Sequence, residues 1–350
     1  MESLRDISWN ISESEYRQDP ALSYSTLSRY ETLGFAGLDK LYEKVESPSL
    51  TFGSCVDCII TDGESAFNER FMVSDIPSIE PSVEPIVKEV FEKFHNAYTD
   101  INDIPESQLM PVIASYGYQP RWKPETRCKT IREKGASYYQ TMFMARGREI
   151  LSQDTYNRVY ACVRALKDSP NTKWAFSENN PFDNIERFYQ LKFKTTLNGI
   201  DYRCMADEII VNHETRKIIP IDLKTSSSRE YDFHRSFLRW HYQIQARLYW
   251  RILRKVMDEN PTYRDYALAN WRFIVVNSID NPNPLIWEFE DTQKQGTLTY
   301  GDIELRDPED LGKELMHYLN DQPSVPDGIK TDGVNGIAKW LKNGKETVIL

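Results

Sequence analysis

The chain has 350 residues, 40% hydrophobic and 27% charged, which is enough apolar material to bury a core as one large domain or two small ones. Its formal net charge of −10 argues against a protein that coats nucleic acid nonspecifically, although it leaves room for a local basic channel and for carboxylates gathered around divalent cations. Five cysteines, an odd number, do not make a disulfide framework. No apolar run approaches the roughly 20 residues that span a bilayer, and the opening Met-Glu-Ser-Leu-Arg-Asp lacks the pattern of a signal peptide, so the expected compartment is the cytoplasm.

In chain order, Leu27, Tyr30 and Leu33 behind Ser25 or Thr26 predict a short amphipathic helix with a break at Gly34. Phe52 to Ile60 is apolar nearly all round and reads as a buried helix. Within it Asp57 is either paired in a cap or salt bridge or is a metal ligand, because a buried aspartate is costly otherwise. Cys55 and Cys58 lack the partners that a closed zinc or iron–sulfur site needs, and read as core residues. Residues 74–110 are rich in Pro, Ser, Glu and Asp around one helical run, 85–98, and suggest a peripheral excursion. Between Tyr116 and Lys134, Arg121, Lys123, Arg127, Lys129, Arg132 and Lys134 interleave with Tyr116, Tyr118 and Trp122. That mixture grips phosphates and bases, or is a solvated face diluted by Glu125 and Glu133. One or two long helices follow over 135–168.

The strands come next. Residues 188–196 and 201–211 flank an Asn198-Gly199 turn, a strong hairpin signal. Ile209-Ile-Val211 and Ile218-Ile219 with Ile221 flank the polar turn Asn212 to Thr215 and predict a second hairpin, interrupted by Pro220. A hairpin centred between Glu214 and Thr215 sets Asp207 opposite Asp222, where cross-strand Cβ atoms lie about 4.5–5.5 Å apart and two carboxylates can share a cation. The strand period of two puts Lys224 on the face of Asp222, so both belong to a polar metal cleft rather than to the core. A helix over 237–256 sets Gln245 beside Tyr249 at i and i+4; strands at 271–277 and 285–290 and a helix at 308–320 complete the pattern.

Asp207, Asp222-Leu-Lys224 and Gln245-Ala-Arg-Leu-Tyr249, in this order, resemble the PD-(D/E)xK nucleases, and in particular the exodeoxyribonuclease VIII (RecE-like) group of phages and prophages. Phe52-Gly-Ser-Cys-Val-Asp57, Glu64, Phe67-Asn-Glu-Arg-Phe71 and Tyr24-Ser-Thr-Leu-Ser28 are similar to the start of that group, and the resemblance spans about residues 24–290. The chain departs from the pattern in having Asp57 where the helix usually carries a histidine ligand and Ala206 where a proline precedes the first acid. The upstream glutamate has no clean counterpart: Glu186 is offset, and Gln190 takes the more natural place.

The resemblance implies an α/β (α+β) fold with a restriction-endonuclease-like core, a mixed central sheet flanked by helices, and a helical N-terminal elaboration. One nuclease domain over 1–350 is expected: 1–73 contributing helices to the site, 74–135 a peripheral insertion, 136–322 the nuclease core, and 323–350 a loosely attached tail. Asp207, Asp222, the carbonyl of Leu223 and Asp57 would hold Mg²⁺, with Mn²⁺ as an alternative. Lys224 would orient the nucleophile or stabilise developing charge; Gln245 and Tyr249 would contact DNA or brace the ligands. Arg121, Trp122, Lys123, Arg127 and Lys129 would bind DNA. The implied activity is exonucleolytic degradation of linear double-stranded DNA in recombination or repair, by a ring-shaped homo-oligomer with a single-strand annealing partner and no membrane, in a bacterial cytoplasm. The alternatives are an endonuclease, the nuclease subunit of a helicase–nuclease complex, or an inactive DNA-binding protein.

Overall fold

The computed structural model describes residues 2–43, 45, 47–75, 77–180 and 183–321, together with the short strands 329–331, 338–342 and 345–348. The chain forms two compact units, residues 1–50 with 165–350 and residues 51–164. These boundaries differ from the 73/74 and 135/136 divisions that composition suggests.

The first unit begins with α1 (Glu13–Gln18), started by a capping box in which Ser12 and Glu15 satisfy each other's backbone N–H. Next is α2 (Tyr24–Leu33), ended where Gly34 takes φ +61°, as its sequence predicts. In the second unit, α3 (Pro48–Thr61) leads to α4 (Gly63–Arg70) and β1 (Phe71–Val73), then to α5 (Glu84–Phe94), α6 (Glu106–Ser115), α7 (Pro124–Ala145), β2 (Glu149–Leu151) and α8 (Gln153–Asp168). Helix α3 is buried on one side only, through Phe52, Cys55, Val56, Cys58 and Ile59, and Asp57 is half-buried rather than sealed in. All five cysteines are reduced and buried.

Residues 74–110 are not a coreless excursion. Val83, Ile86, Val87 and Val90 form a helical stripe that packs with Leu109, Val112, Ile131 and Tyr139 into a core of their own. Gly135 lets α7 approach α5, since a Cβ there would stand 2.5 Å from a Val87 methyl.

The first unit is built on a mixed sheet. Strands β3 (Ile185–Leu197) and β4 (Ile200–Asn212) form a hairpin through Asn198 and Gly199, both at positive φ, the backbone a two-residue turn of this kind requires. Strand β5 (Lys217–Ser226) follows, then α9 (Phe233–Arg239), α10 (Tyr242–Glu259), β6 (Ala267–Leu268), β7 (Arg272–Asn277), β8 (Leu285–Glu288), β9 (Leu298–Tyr300), β10 (Ile303–Leu305) and α11 (Pro308–Asp321). The sheet order is β3-β4-β5-β7-β8, with β6 also on β5. This is the expected class, a mixed central sheet flanked by helices. Strand β5 is antiparallel to β4 on one side and parallel to β6 and β7 on the other, and β8 closes the sheet antiparallel to β7. Pro220 falls where β5 changes neighbour from β6, at Lys217 and Ile218, to β7, from Ile221 onward, a gap that tolerates a missing donor.

Helix α10 covers the core face of β3 and β4, burying Ile244, Leu248, Ile252 and Met257 against Phe193, Cys204, Ile209 and Val211, with Leu27 of α2 and Leu311 and Leu315 of α11 in the same cluster. The single helix expected over 237–256 is two, α9 and α10. They are broken at Trp240-His241, where His241 takes φ +53° and the Tyr24 hydroxyl donates to the Trp240 carbonyl at 2.6 Å. The tail expected beyond 323 lies outside the described residues apart from β11 (Ile329–Thr331), β12 (Ala338–Lys342) and β13 (Lys345–Val348), an antiparallel sheet.

Candidate active site

The hairpin register, with Glu208 opposite Ile221 and Asn212 opposite Lys217, sets Asp207 opposite Asp222 when carried one step further. The paired ladder of β4 and β5 stops just before that step. Asp207 fills the gap, its Oδ2 accepting the Leu223 N–H at 2.9 Å, while β5 continues on β7 with Asp222 beside Phe273 and Lys224 beside Val275.

A change of phase aims Asp207. Along β4 the core-facing residues are Tyr202, Cys204 and Ala206, then Ile209 and Val211; along β3 they are Phe188, then Leu191 and Phe193. Both strands skip one residue at the same level without losing register, and Gln190 stands at that level with φ +54°. A non-glycine residue in the left-handed region inside a strand is strained, and it persists only where its surroundings hold it. Here it brings the Gln190 amide to 3.5 Å from Asp207 Oδ1.

Asp222 is 1% exposed. The expectation was a polar cleft rather than the core; Asp222 is instead buried, and it is tolerated because both its oxygens face partners. Gln245 Nε2 of α10 donates to Oδ1, and Lys224 Nζ stands 2.6 Å from Oδ2. The Lys224 ammonium also lies 4.6 Å from the centre of the Tyr242 ring. Burial acts to lower the lysine's pKa, but Asp222, then Tyr242 and Asp207, outweigh it and hold the pKa above the usual lysine value. Lys224 is thus a fixed cation, unsuited to accept a proton.

Tyr249 is buried edge-on to Trp271, and burial pushes its phenol well above the ordinary value. Gln245 bonds Asp222 directly, whereas Tyr249 packs on Trp271. Glu186 bonds His213 Nε2 at 2.8 Å toward the turn end of the hairpin and has no part in the group. Asp57 lies on α3, in the other unit.

The basic stretch divides. Arg121, Trp122, Lys123 and Lys129 are exposed, whereas Arg127 is buried and donates to the Ile113 carbonyl at 3.4 Å, Arg132 donates to the Ile104 carbonyl, and Lys134 pairs with Glu80. Arg127 accordingly holds α7 to α6 and is not a surface contact.

Sequence reasoning missed two aromatic neighbours of Lys224, Tyr24 of α2 and Tyr242 at the start of α10, and also Glu208. Glu208 faces away from Asp207, is 2% exposed, and burial raises its pKa well above normal, with Arg187 and the cross-strand Tyr189 offsetting only part. A raised carboxyl pKa stabilises the fold fully below the unfolded value, and that stability falls as pH rises. Glu208→Gln is therefore expected to denature at higher urea than the parent at pH 8 and at nearly the same urea at pH 4. Equal midpoints at pH 8 would show that Glu208 is comfortably ionised.

Two carboxylates on adjoining strands, an ammonium beside one of them, and the amides of Gln190 and Gln245 thus meet in one polar cluster. Among the described residues no three His, Cys, Asp or Glu side chains gather around one point. The described residues hold no helix long and apolar enough to cross a membrane. No family model and no curated protein matches the chain. Among solved structures it is similar to one from Eubacterium rectale described as a "Putative exonuclease", at 13% identity over 90% of this chain and 85% of that one, with a TM-score of 0.43.

Proposed function

We propose that the chain is a Mg²⁺-dependent deoxyribonuclease that degrades linear duplex DNA from its ends. The observation that carries this reading is the clamp of Asp207 and Asp222, opposed by register, with the Lys224 ammonium 2.6 Å from Asp222. Two carboxylates with one ammonium leave a single net negative charge, which repels a phosphodiester. A divalent cation reverses that sign, so DNA should enter the site only with the metal. The donor set fits Mg²⁺, which takes one or two carboxylates and keeps several waters.

When bound, Mg²⁺ supplies a Lewis acid and lowers the pKa of a coordinated water. The chain's own residues do the rest. Asp207 and Asp222 would hold the ion, which would take over the Asp222 oxygen that Lys224 now meets, with the carbonyl of Leu223 as a further oxygen. The Leu223 N–H fixes the carboxylate of Asp207, and Gln245 fixes that of Asp222. Lys224, charged throughout, stabilises negative charge developing on the scissile phosphate. Arg121, Trp122, Lys123 and Lys129 contact the DNA backbone and bases on their own unit. A homo-oligomer and an annealing partner belong to the same reading.

The test uses end-labelled linear duplex and covalently closed circles of the same sequence. Linear DNA should be degraded progressively in Mg²⁺ and be untouched in EDTA, with rates falling steeply as salt rises, while circles persist. Nicking of circles at a rate comparable to linear digestion would replace the exonuclease by an endonuclease. Inertness on both would sink the nuclease.

A further inference from the structure

The break between α9 and α10 serves no purpose in the chemistry above, yet it lies beside Lys224. Its backbone is held from two sides: His241 is locked at φ +53°, and Tyr24 donates to the Trp240 carbonyl at 2.6 Å. Tyr24 in turn lies 6.0 Å, ring to ring, from Tyr242, whose ring carries the Lys224 ammonium at 4.6 Å. Trp240 is thus tied to Lys224 through two aromatic rings, and the residue is 51% exposed. An indole left in water on a rigid, strained turn gains nothing for the fold. The Arg239 guanidinium lies over the ring at 5.0 Å from its centre. Arg235 and Arg239, one helical turn apart on α9, are exposed and form no ion pair among the described residues, in a chain that is otherwise acidic.

We propose that Trp240 is a stacking platform for a nucleobase next to the scissile phosphate, with Arg235 and Arg239 contacting the adjoining phosphates. This inference rests on the nuclease reading and adds to it a residue that positions the substrate. Unpaired bases have π-faces of any sequence, and base–aromatic stacking tolerates them all, so the platform would hold a frayed duplex end without choosing among sequences.

The experiment has two arms. In an Asp222→Asn background, which slows turnover, a duplex with 2-aminopurine at its terminal positions is titrated with protein. In the wild-type background, kcat and KM are measured on linear duplex. Trp240→Ala should abolish the quenching of 2-aminopurine and raise both Kd and KM by about 5- to 150-fold, the range that stacking one base accounts for, with kcat little changed. Trp240→Phe, which keeps a ring and the Tyr24 bond to the main chain, should restore most of the quenching. Quenching and KM in Trp240→Ala equal to those of the parent overturn the platform while leaving the nuclease intact. If the alanine variant fails to fold, full quenching loss in a folded Trp240→Leu supports the platform and full retention overturns it. A parent protein that binds no DNA overturns the nuclease reading and the platform together.

Discussion

Exchanging Lys224 for methionine is expected to lower DNA hydrolysis by about 10²–10³-fold, the loss typical of removing one group that meets developing charge. Asp222→Asn should lose at least as much, because a carboxylate that holds the ion has gone. The two variants should part in stability. Asp222 is 1% exposed and Lys224 retains 19% of its side-chain surface, so Asp222→Asn leaves a partly buried ammonium without its counter-charge, and breaking such a pair costs about 3–5 kcal/mol. The lower end applies here, since Asp207 also holds the lysine and the ammonium keeps some water. Lys224→Met instead leaves two facing carboxylates uncompensated, and a divalent cation can take the place of the lost charge. Melting in EDTA and in Mg²⁺ reads this directly: the Mg²⁺-induced rise in Tm should be larger in Lys224→Met than in the parent. Equal rises would mean that the lysine and the cation do not address the same carboxylates.

The pairing of Asp207 with Asp222 was legible because a short hairpin leaves little freedom: flanking isoleucines fix which residues are strand, and the polar turn fixes the register. The phase change at Gln190 was not legible. It needs a left-handed residue inside a strand, and the sequence offers neither glycine nor asparagine there to announce it. The break before α10 was hidden for a similar reason. His241 is left-handed without being glycine, and the hydroxyl that holds the turn belongs to Tyr24, 216 residues away along the chain. Local pattern reading sees helix through such a point, and a distant bond decides otherwise.

Burial of charge was the second blind spot. The interleaved basic stretch made Arg127 a DNA contact and the strand period put Asp222 in a polar cleft rather than the core, yet both are buried, because each finds a specific partner that sequence cannot supply. Residues 74–110 were read from their prolines and acids without a core, although Val83, Ile86, Val87 and Val90 carry a helical core spacing that was there to be counted.

Asp307→Asn is expected to be among the most destabilising single changes in the first unit, and it touches no substrate. Asp307, 4% exposed, accepts from Arg247 at 2.8 Å, from Arg251 at 2.8 and 2.7 Å, and from the backbone N–H of Gly296 and Glu309 at 2.8 and 2.9 Å. Burial works to raise its pKa, but Arg251 foremost, with the Glu309 N–H and Arg247, overcomes it and brings the value down to about 2. The ordinary aspartate value is about 3.9, so ionised Asp307 contributes about 2 kcal/mol, present in full above pH about 4 and lost as pH falls through about 2. The asparagine removes that contribution and leaves the guanidinium of Arg247, which has no exposed surface, and that of Arg251 short of counter-charge, a loss of about 3–5 kcal/mol. Both arginines stand on α10 with Gln245, which braces Asp222, so loosening this anchor should also lower hydrolysis several-fold through the brace. Urea unfolding at pH 7 and pH 3 separates the contributions: the parent should weaken between the two, while Asp307→Asn starts low and lacks the part of that weakening due to Asp307. A variant as stable as the parent at pH 7 would show that the two arginines find their charge balance elsewhere.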